Sequence, residues 1–179
     1  VDENLPQLGG NAVMLIYKDG NIVFNYAASG ANEMKPKGRK FRKAFNGNST
    51  VDANKKILIA SCSKWLSAAL VMTFVDEGKL KLTDSIGTYL PVMTQNGKGA
   101  ITLAECLSHT TGIDAGGFSR NKEFTSAENT DEVMEAIAKM PMEAAHGTLF
   151  HYSSVGLQIA AAIVEKIGSK TFQQLFQQR

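Results

Sequence analysis

Apolar and polar positions divide the 179 residues into an opening hairpin and a series of helices. Residues 12–17 are apolar and partly β-branched, Asp19-Gly20 supplies a turn, and residues 22–27 form a second strand. The near-continuous apolar first strand predicts a sheet covered on both faces. Residues 30–54 are polar and punctuated by Gly, Pro and Asn, which predicts a loop. A long helix follows, with Leu66, Ala69, Leu70, Thr73 and Phe74 on one buried face and Gly78 as its stop. Residues 102–105 read as a capping box that starts a short helix ending by Thr111-Gly112. Residues 114–129 have no regular pattern. Asn129 opens a further helix with the stripe Val133, Ile137 and Met140, which Pro141 ends. The last long helix runs from about Ser154 to Ile167, with Leu157, Ala160, Ala161, Val164 and Ile167 inward and Gly168 as its stop. Phe172, Leu175 and Phe176 then begin another amphipathic helix.

Two strands make a marginal sheet, and their apolar faces need more of it. The final stripe also stops without a cap. The expectation is that this chain is the N-terminal portion of one domain, with the late strands on a missing C-terminal segment or a second fragment. Three regions are expected within it. Residues 1–84 hold the first strands and the long helix, 85–150 a helical region, and 151–179 the last helices.

Composition narrows the function classes. Apolar residues make up 44% and charged residues 20%, and the formal net charge of +2 selects no polyanionic partner. Lys35, Lys37, Arg39, Lys40, Arg42 and Lys43 form a basic run with sparse aromatic interleaving, the mark of a solvated loop and not of a nucleic-acid platform. No run approaches the roughly 18 apolar residues of a membrane span. Residues 1–6 lack a signal-peptide pattern, as in a mature exported chain or a trimmed one. Cys62 and Cys106 fall in apolar helical patterns and read as small buried hydrophobes, with a disulfide between them as the alternative. The three histidines, His109, His146 and His151, have no metal-ligand spacing, and no cofactor is expected.

The chemistry centres on Ser61-Cys62-Ser63-Lys64, an S-x-x-K pattern at a helix start. Positions i and i+3 share a helix face, so the Ser61 hydroxyl and the Lys64 amine can meet. A helix N-terminus favours developing negative charge, and a desolvated lysine can act as a base near neutral pH. A helix-capping serine followed by a surface lysine would produce the same four letters.

The surroundings decide between these readings. Residues 59–64 and the following helix, then residues 75–91, then Ile101–Ile113 with Ser108-His109-Thr110-Thr111-Gly112, then Gly147–Gly156 with Tyr152-Ser153-Ser154, match in order the segments of a known family. The chain resembles the class C-like β-lactamase and penicillin-recognising serine hydrolases over nearly its whole length. The resemblance implies a mixed α/β (α+β) fold of the β-lactamase/transpeptidase type, an antiparallel sheet flanked by helices with a helical region alongside. It implies Ser61 as the acylated nucleophile, Lys64 as the group that takes or shares its proton, and Tyr152 as the relay to the leaving group. Ser154 falls where a polar residue contacts lysine and substrate. The oxyanion hole would use the Ser61 backbone N–H and a second donor from a later strand. His109 beside a nucleophile invites a triad reading, but the resemblance makes its segment a structural turn. His146 and His151 flank the second motif and could face the cleft.

The departures are specific. Ser154 replaces the usual Asn, His146-Gly147 replaces Pro-Gly, and the third motif, Lys-Thr/Ser-Gly or His-x-Gly, has no match in these 179 residues. The expected function is hydrolysis of an amide or ester (a β-lactam, a D-amino-acid peptide or a small ester) through an acyl-serine. A sensor that acylates without turnover is the alternative, and a non-catalytic scaffold is opposed by the retention of Ser61, Lys64 and Tyr152. The resemblance implies a periplasmic or secreted location.

Overall fold

The computed structural model describes residues 2–6, 10–30, 52, 54, 56, 59–116 and 127–179. The basic run at 35–43 and the middle of the irregular stretch at 114–129 lie outside them. The chain forms two compact units, Val1–Ala60 and Ser61–Arg179.

The first unit is built on an antiparallel pair, β1 (Asn11–Lys18) and β2 (Asn21–Ser29). Asp19 and Gly20 turn the chain with φ of 50° and 82°. Positive φ at both turn positions matches the right-handed twist of the strands, which is why Asp-Gly was legible as a hairpin. The expectation of a covered β1 is not met among the described residues. Val13, Met14, Leu15 and Ile16 are each 38–46% exposed, so consecutive positions on both faces are open. A single hairpin has too few neighbours to bury a strand that is apolar on both sides.

The second unit is helical. Its elements are α1 (Ser63–Asp76), α2 (Pro91–Gln95), α3 (Leu103–Leu107), α4 (Thr130–Lys139), α5 (Val155–Gly168) and α6 (Phe172–Gln178). The centre is α5, which contacts α1, α3, α4 and α6. It is apolar on most sides and buries Val155, Leu157, Ile159, Ala160, Ile163 and Val164, the pattern of a helix surrounded by others. Gly156 lets it come close: a Cβ there would stand 2.1 Å from the Cys106 carbonyl oxygen of α3. Ala161 and Ile167, expected inward, are only half-buried.

Capping follows the sequence closely. The Thr102 hydroxyl accepts from the Glu105 N–H while the Glu105 carboxylate accepts from the Thr102 N–H. Asn129 caps α4 through the Glu132 N–H, and Thr171 with Gln174 forms a second capping box on α6. These bonds satisfy backbone donors that a helix N-terminus otherwise leaves open. The α4 helix stops at Lys139, two residues before Pro141.

Three sequence expectations need correction. The buried face of α1 is Leu70, Val71 and Phe74, while Ala69 is exposed and Leu66 and Thr73 are half-buried. This helix is apolar nearly all round, so its periodicity leaves the face to be chosen by its packing against α5. Cys62 is exposed, although Cys106 is buried as expected, and both thiols are free. The short helix α2 was not foreseen, although Pro91 occupies the first helical turn where its missing N–H costs nothing.

Lys98 carried no sequence signal. It is 6% exposed, and its Nζ donates to the Ala138 carbonyl at 2.7 Å in the last turn of α4. A cation at a helix C-terminus is favourable and satisfies an open carbonyl. Burial pushes its pKa below the usual lysine range.

The Gly156→Ala substitution should destabilise the second unit by about 1–3 kcal/mol, because the new methyl meets backbone that cannot yield easily. Urea unfolding followed by circular dichroism measures this, and an unchanged midpoint would show that α3 and α5 are not locked at that point.

Candidate active site

Ser61 lies in the 3-10 turn Ala60–Cys62 that leads directly into α1. Its hydroxyl and the half-buried Lys64 are brought together by helical spacing, with Lys64 Nζ donating to Ser61 Oγ at 3.2 Å. The backbone enters this turn through Ala60 at φ 45°. A left-handed non-glycine residue costs on the order of 1–3 kcal/mol and persists only where surrounding structure holds it.

Tyr152 arrives from the other end of the second unit, on the extended run that precedes α5. Two strings of residues bond to each other to bring it there. Asp114 donates to Pro141, Glu143 to Gly112, Gly147 to Thr110 and His151 to His109, all backbone to backbone at 2.8–2.9 Å. Gly112 is required in this zipper. Its φ is 71°, and a Cβ would stand 2.4 Å from the Ala144 carbonyl oxygen. Side chains add two cross-links. His146 Nδ1 lies 3.0 Å from both oxygens of Glu105, and His151 Nδ1 pairs closely with Glu143. Burial raises the Glu105 pKa, but the Thr102 N–H and His146 outweigh it and hold the carboxyl below its ordinary value.

The result places Lys64 Nζ 5.0 Å from the centre of the Tyr152 ring. Hydrogen bonding with the Ser61 hydroxyl, and then with Lys64, holds the Tyr152 phenol below its ordinary pKa of about 10. Ser61, Lys64 and Tyr152 are thus one linked group. The Tyr152 side chain is 52% exposed, so it is open to an incoming molecule.

Ser154, two residues on, is the N-cap residue of α5. It is half-buried, and its hydroxyl makes no hydrogen bond among the described residues; Ser153 instead accepts from the Val155 N–H at 3.4 Å. His109 is not arranged as a triad base toward Ser61. Its ring packs on Tyr152 with centroids 4.7 Å apart and meets Phe150 edge-on at 5.9 Å. Its Nδ1 accepts from the Ser153 N–H at 3.4 Å. Burial pushes its pKa below the usual histidine value, and the Lys64 charge adds to that effect. His146 and His151 are bound to carboxylates in the zipper. No group of three or more metal-ligating side chains occurs among the described residues.

This geometry, a serine and a lysine one helical turn apart facing a tyrosine ahead of the next buried helix, occurs on a β-lactamase/transpeptidase fold. The chain belongs to the β-lactamase family, whose model matches residues 2–179. An N-acetylmuramyl-L-alanine amidase of Bacillus subtilis (strain 168) is 23% identical over 175 residues, covering 89% of this chain and 37% of the amidase. Two solved structures share the fold. One, from Bacteroides dorei DSM 17855 and provisionally named a β-lactamase, has a TM-score of 0.76 at 24% identity over 99% of this chain and 47% of its own. The other, the D-alanine carboxypeptidase AmpC of Burkholderia cenocepacia, has a TM-score of 0.72 at 20% identity over 99% and 44%. The chain spans less than half the length of each of the three.

Replacing Lys64 by Met removes a hydrogen bond and a positive charge from the Tyr152 phenol. Both lower its pKa in the parent protein, so the phenol of the variant should titrate at higher pH, closer to about 10. NMR titration of protein labelled at the tyrosine Cζ measures this. A Tyr152 signal that titrates at the same pH in both proteins would contradict the linkage.

Proposed function

We propose that the chain carries the acylation machinery of a serine hydrolase that cleaves an amide or ester through an acyl-serine. The observation that carries this reading is the 3.2 Å contact between Lys64 Nζ and Ser61 Oγ, with the Tyr152 phenol linked to both. Ser61 Oγ attacks the substrate carbonyl carbon and passes its proton to the Lys64–Tyr152 pair. Tyr152 returns a proton to the leaving nitrogen or oxygen as the C–N or C–O bond breaks. Water then attacks the acyl-serine, releases the acid and restores the Ser61 hydroxyl. The negative charge on the carbonyl oxygen is met by the Ser61 backbone N–H at the start of α1, where the helix dipole adds to the stabilisation.

The amidase and carboxypeptidase names among the relatives favour amides and D-amino-acid peptides over simple esters as substrates. Ser154, two residues after Tyr152, is assigned to substrate contact. A second oxyanion donor and further strands are assigned to a segment outside these 179 residues or to a second polypeptide. The support for this is the hairpin, whose apolar side chains are open on both faces. Membership in the family supports an extracytoplasmic location. No helix among the described residues is long and apolar enough to cross a membrane.

Incubation of the intact protein with a labelled penicillin or a fluorophosphonate, followed by peptide mapping, should place the adduct on Ser61, and Ser61→Ala should take no label. Label on Ser63 would sink the assignment. Lys64→Ala and Tyr152→Phe should each slow acylation by about 10²–10⁴-fold. The double variant should lose much less than the product of the two, as expected for groups that act on one proton. A burst of acylation without turnover would make the protein a penicillin-recognising sensor and not a hydrolase.

A further inference from the structure

His109 meets the Tyr152 segment at three points, and two of them are made by its side chain. Its carbonyl accepts from the His151 N–H at 2.9 Å, and its ring Nδ1 accepts from the Ser153 N–H at 3.4 Å. The two amides on either side of Tyr152 are therefore fixed by a single residue. The ring itself rests between Phe150 and Tyr152, positions that share one face of an extended run.

The backbone of His109 makes the side chain stand out. Residue 108 caps α3, and the Thr110 N–H donates back to the Glu105 carbonyl at 3.0 Å, which closes the helix with His109 in the left-handed position at φ 60°. Glycine is the residue that such a helix end prefers, with asparagine next. Helix termination asks only for a residue that tolerates this backbone, so it does not by itself account for the imidazole. What the side chain adds over glycine is the ring face against Tyr152 and the Nδ1 acceptor for Ser153.

We propose that His109 is the positioning residue for Tyr152: its imidazole and carbonyl clasp residues 151–153 and hold the phenol within reach of Ser61 and Lys64. The proposal rests on the acyl-serine reading above and deepens it by naming the residue that sets the relay's geometry. Among the described residues, the groups that act on the phenol are Ser61, Lys64, the Cys62 thiol and the His109 ring. With Nδ1 as the acceptor, the neutral ring carries its hydrogen on Nε2.

The test uses three variants of the intact protein. His109→Gly suits the left-handed backbone but loses the ring and its acceptor. His109→Asn suits the backbone and retains an acceptor at the Nδ1 position, but not the ring. Tyr152→Phe reports the value of the relay itself. The readouts are the rate of the acyl burst with p-nitrophenyl acetate, the thermal midpoint, and the titration of the Tyr152 phenol by NMR. His109→Gly should keep its thermal midpoint within a few degrees while acylation falls about 10²-fold, the scale of loss from a misplacement of about 1 Å. Its Tyr152 phenol should titrate at higher pH than in the parent. His109→Asn should recover part of both losses. In Tyr152→Phe, a further His109→Gly change should have little effect on the rate, because there is no phenol left to position.

Three results overturn the proposal. One is a His109→Gly protein that acylates at the parent rate with an unchanged phenol titration. Another is equal loss in the Gly and Asn variants with the phenol titration unmoved, which would mark a general loss of structure. The third is a His109→Gly effect of full size in the Tyr152→Phe background. Failure of the acyl-serine reading is separately visible, as parent protein that forms no adduct on Ser61 or is unaffected by Tyr152→Phe, and it removes this proposal with it.

Discussion

The close approach of α5 to α3, where Gly156 meets the Cys106 carbonyl, is the constraint on which the arrangement around Ser61 depends. It fixes the start of α5 against the end of α3. Tyr152 stands three residues before α5 begins at Val155, and His109 two residues after α3 ends at Leu107, so one backbone contact bears on the spacing of both. The same α5 packs on α1, whose first turn carries Ser61 and Lys64. Three side chains separated by as many as 91 positions in sequence are brought together because one buried helix touches the elements that carry them. The helix can do so because its apolar surface covers most of its circumference, leaving Gln158 and Lys166 toward water.

Strain is concentrated at the same place. Four non-glycine residues have positive φ among the described residues, and two of them, Ala60 and His109, adjoin the proposed nucleophile and the proposed relay. Each is a position where glycine would be easier on the backbone. The zipper of 109–114 with 141–151 repays part of this cost through backbone bonds, and the Glu105–His146 and Glu143–His151 pairs tie down the same stretch. Such pairs are half-exposed, so their contribution is of the order of 1 kcal/mol or less each. Their value lies in limiting where the chain before Tyr152 can go.

Family membership and the lengths of the relatives set the frame for these roles. The chain matches its family model from residue 2 to residue 179, yet covers 37% of the Bacillus amidase and 44% of the Burkholderia carboxypeptidase. The open apolar faces of the β1–β2 hairpin fit a sheet that continues elsewhere. In that arrangement the described residues would supply nucleophile, base and relay, and the substrate's far side would be met by other strands.

The sequence by itself determined the local features. Asp19-Gly20 dictated a hairpin turn, Thr102 with Glu105 and Asn129 with Glu132 dictated helix starts, and the spacing of Ser61 and Lys64 dictated that the two side chains could meet. Each depends on neighbours within four residues, so the information lies in one short window. The family resemblance added Tyr152, which no local rule connects to Ser61. Tertiary structure alone decided which face of α1 is buried, because a helix apolar all round fits a partner on several sides. It decided that Lys98 is buried at the end of α4 and that Cys62 is exposed while Cys106 is enclosed. It also decided that the His109 ring lies on Tyr152. These outcomes depend on contacts between elements 40 or more residues apart, and their energies come from packing that no periodicity along the chain records.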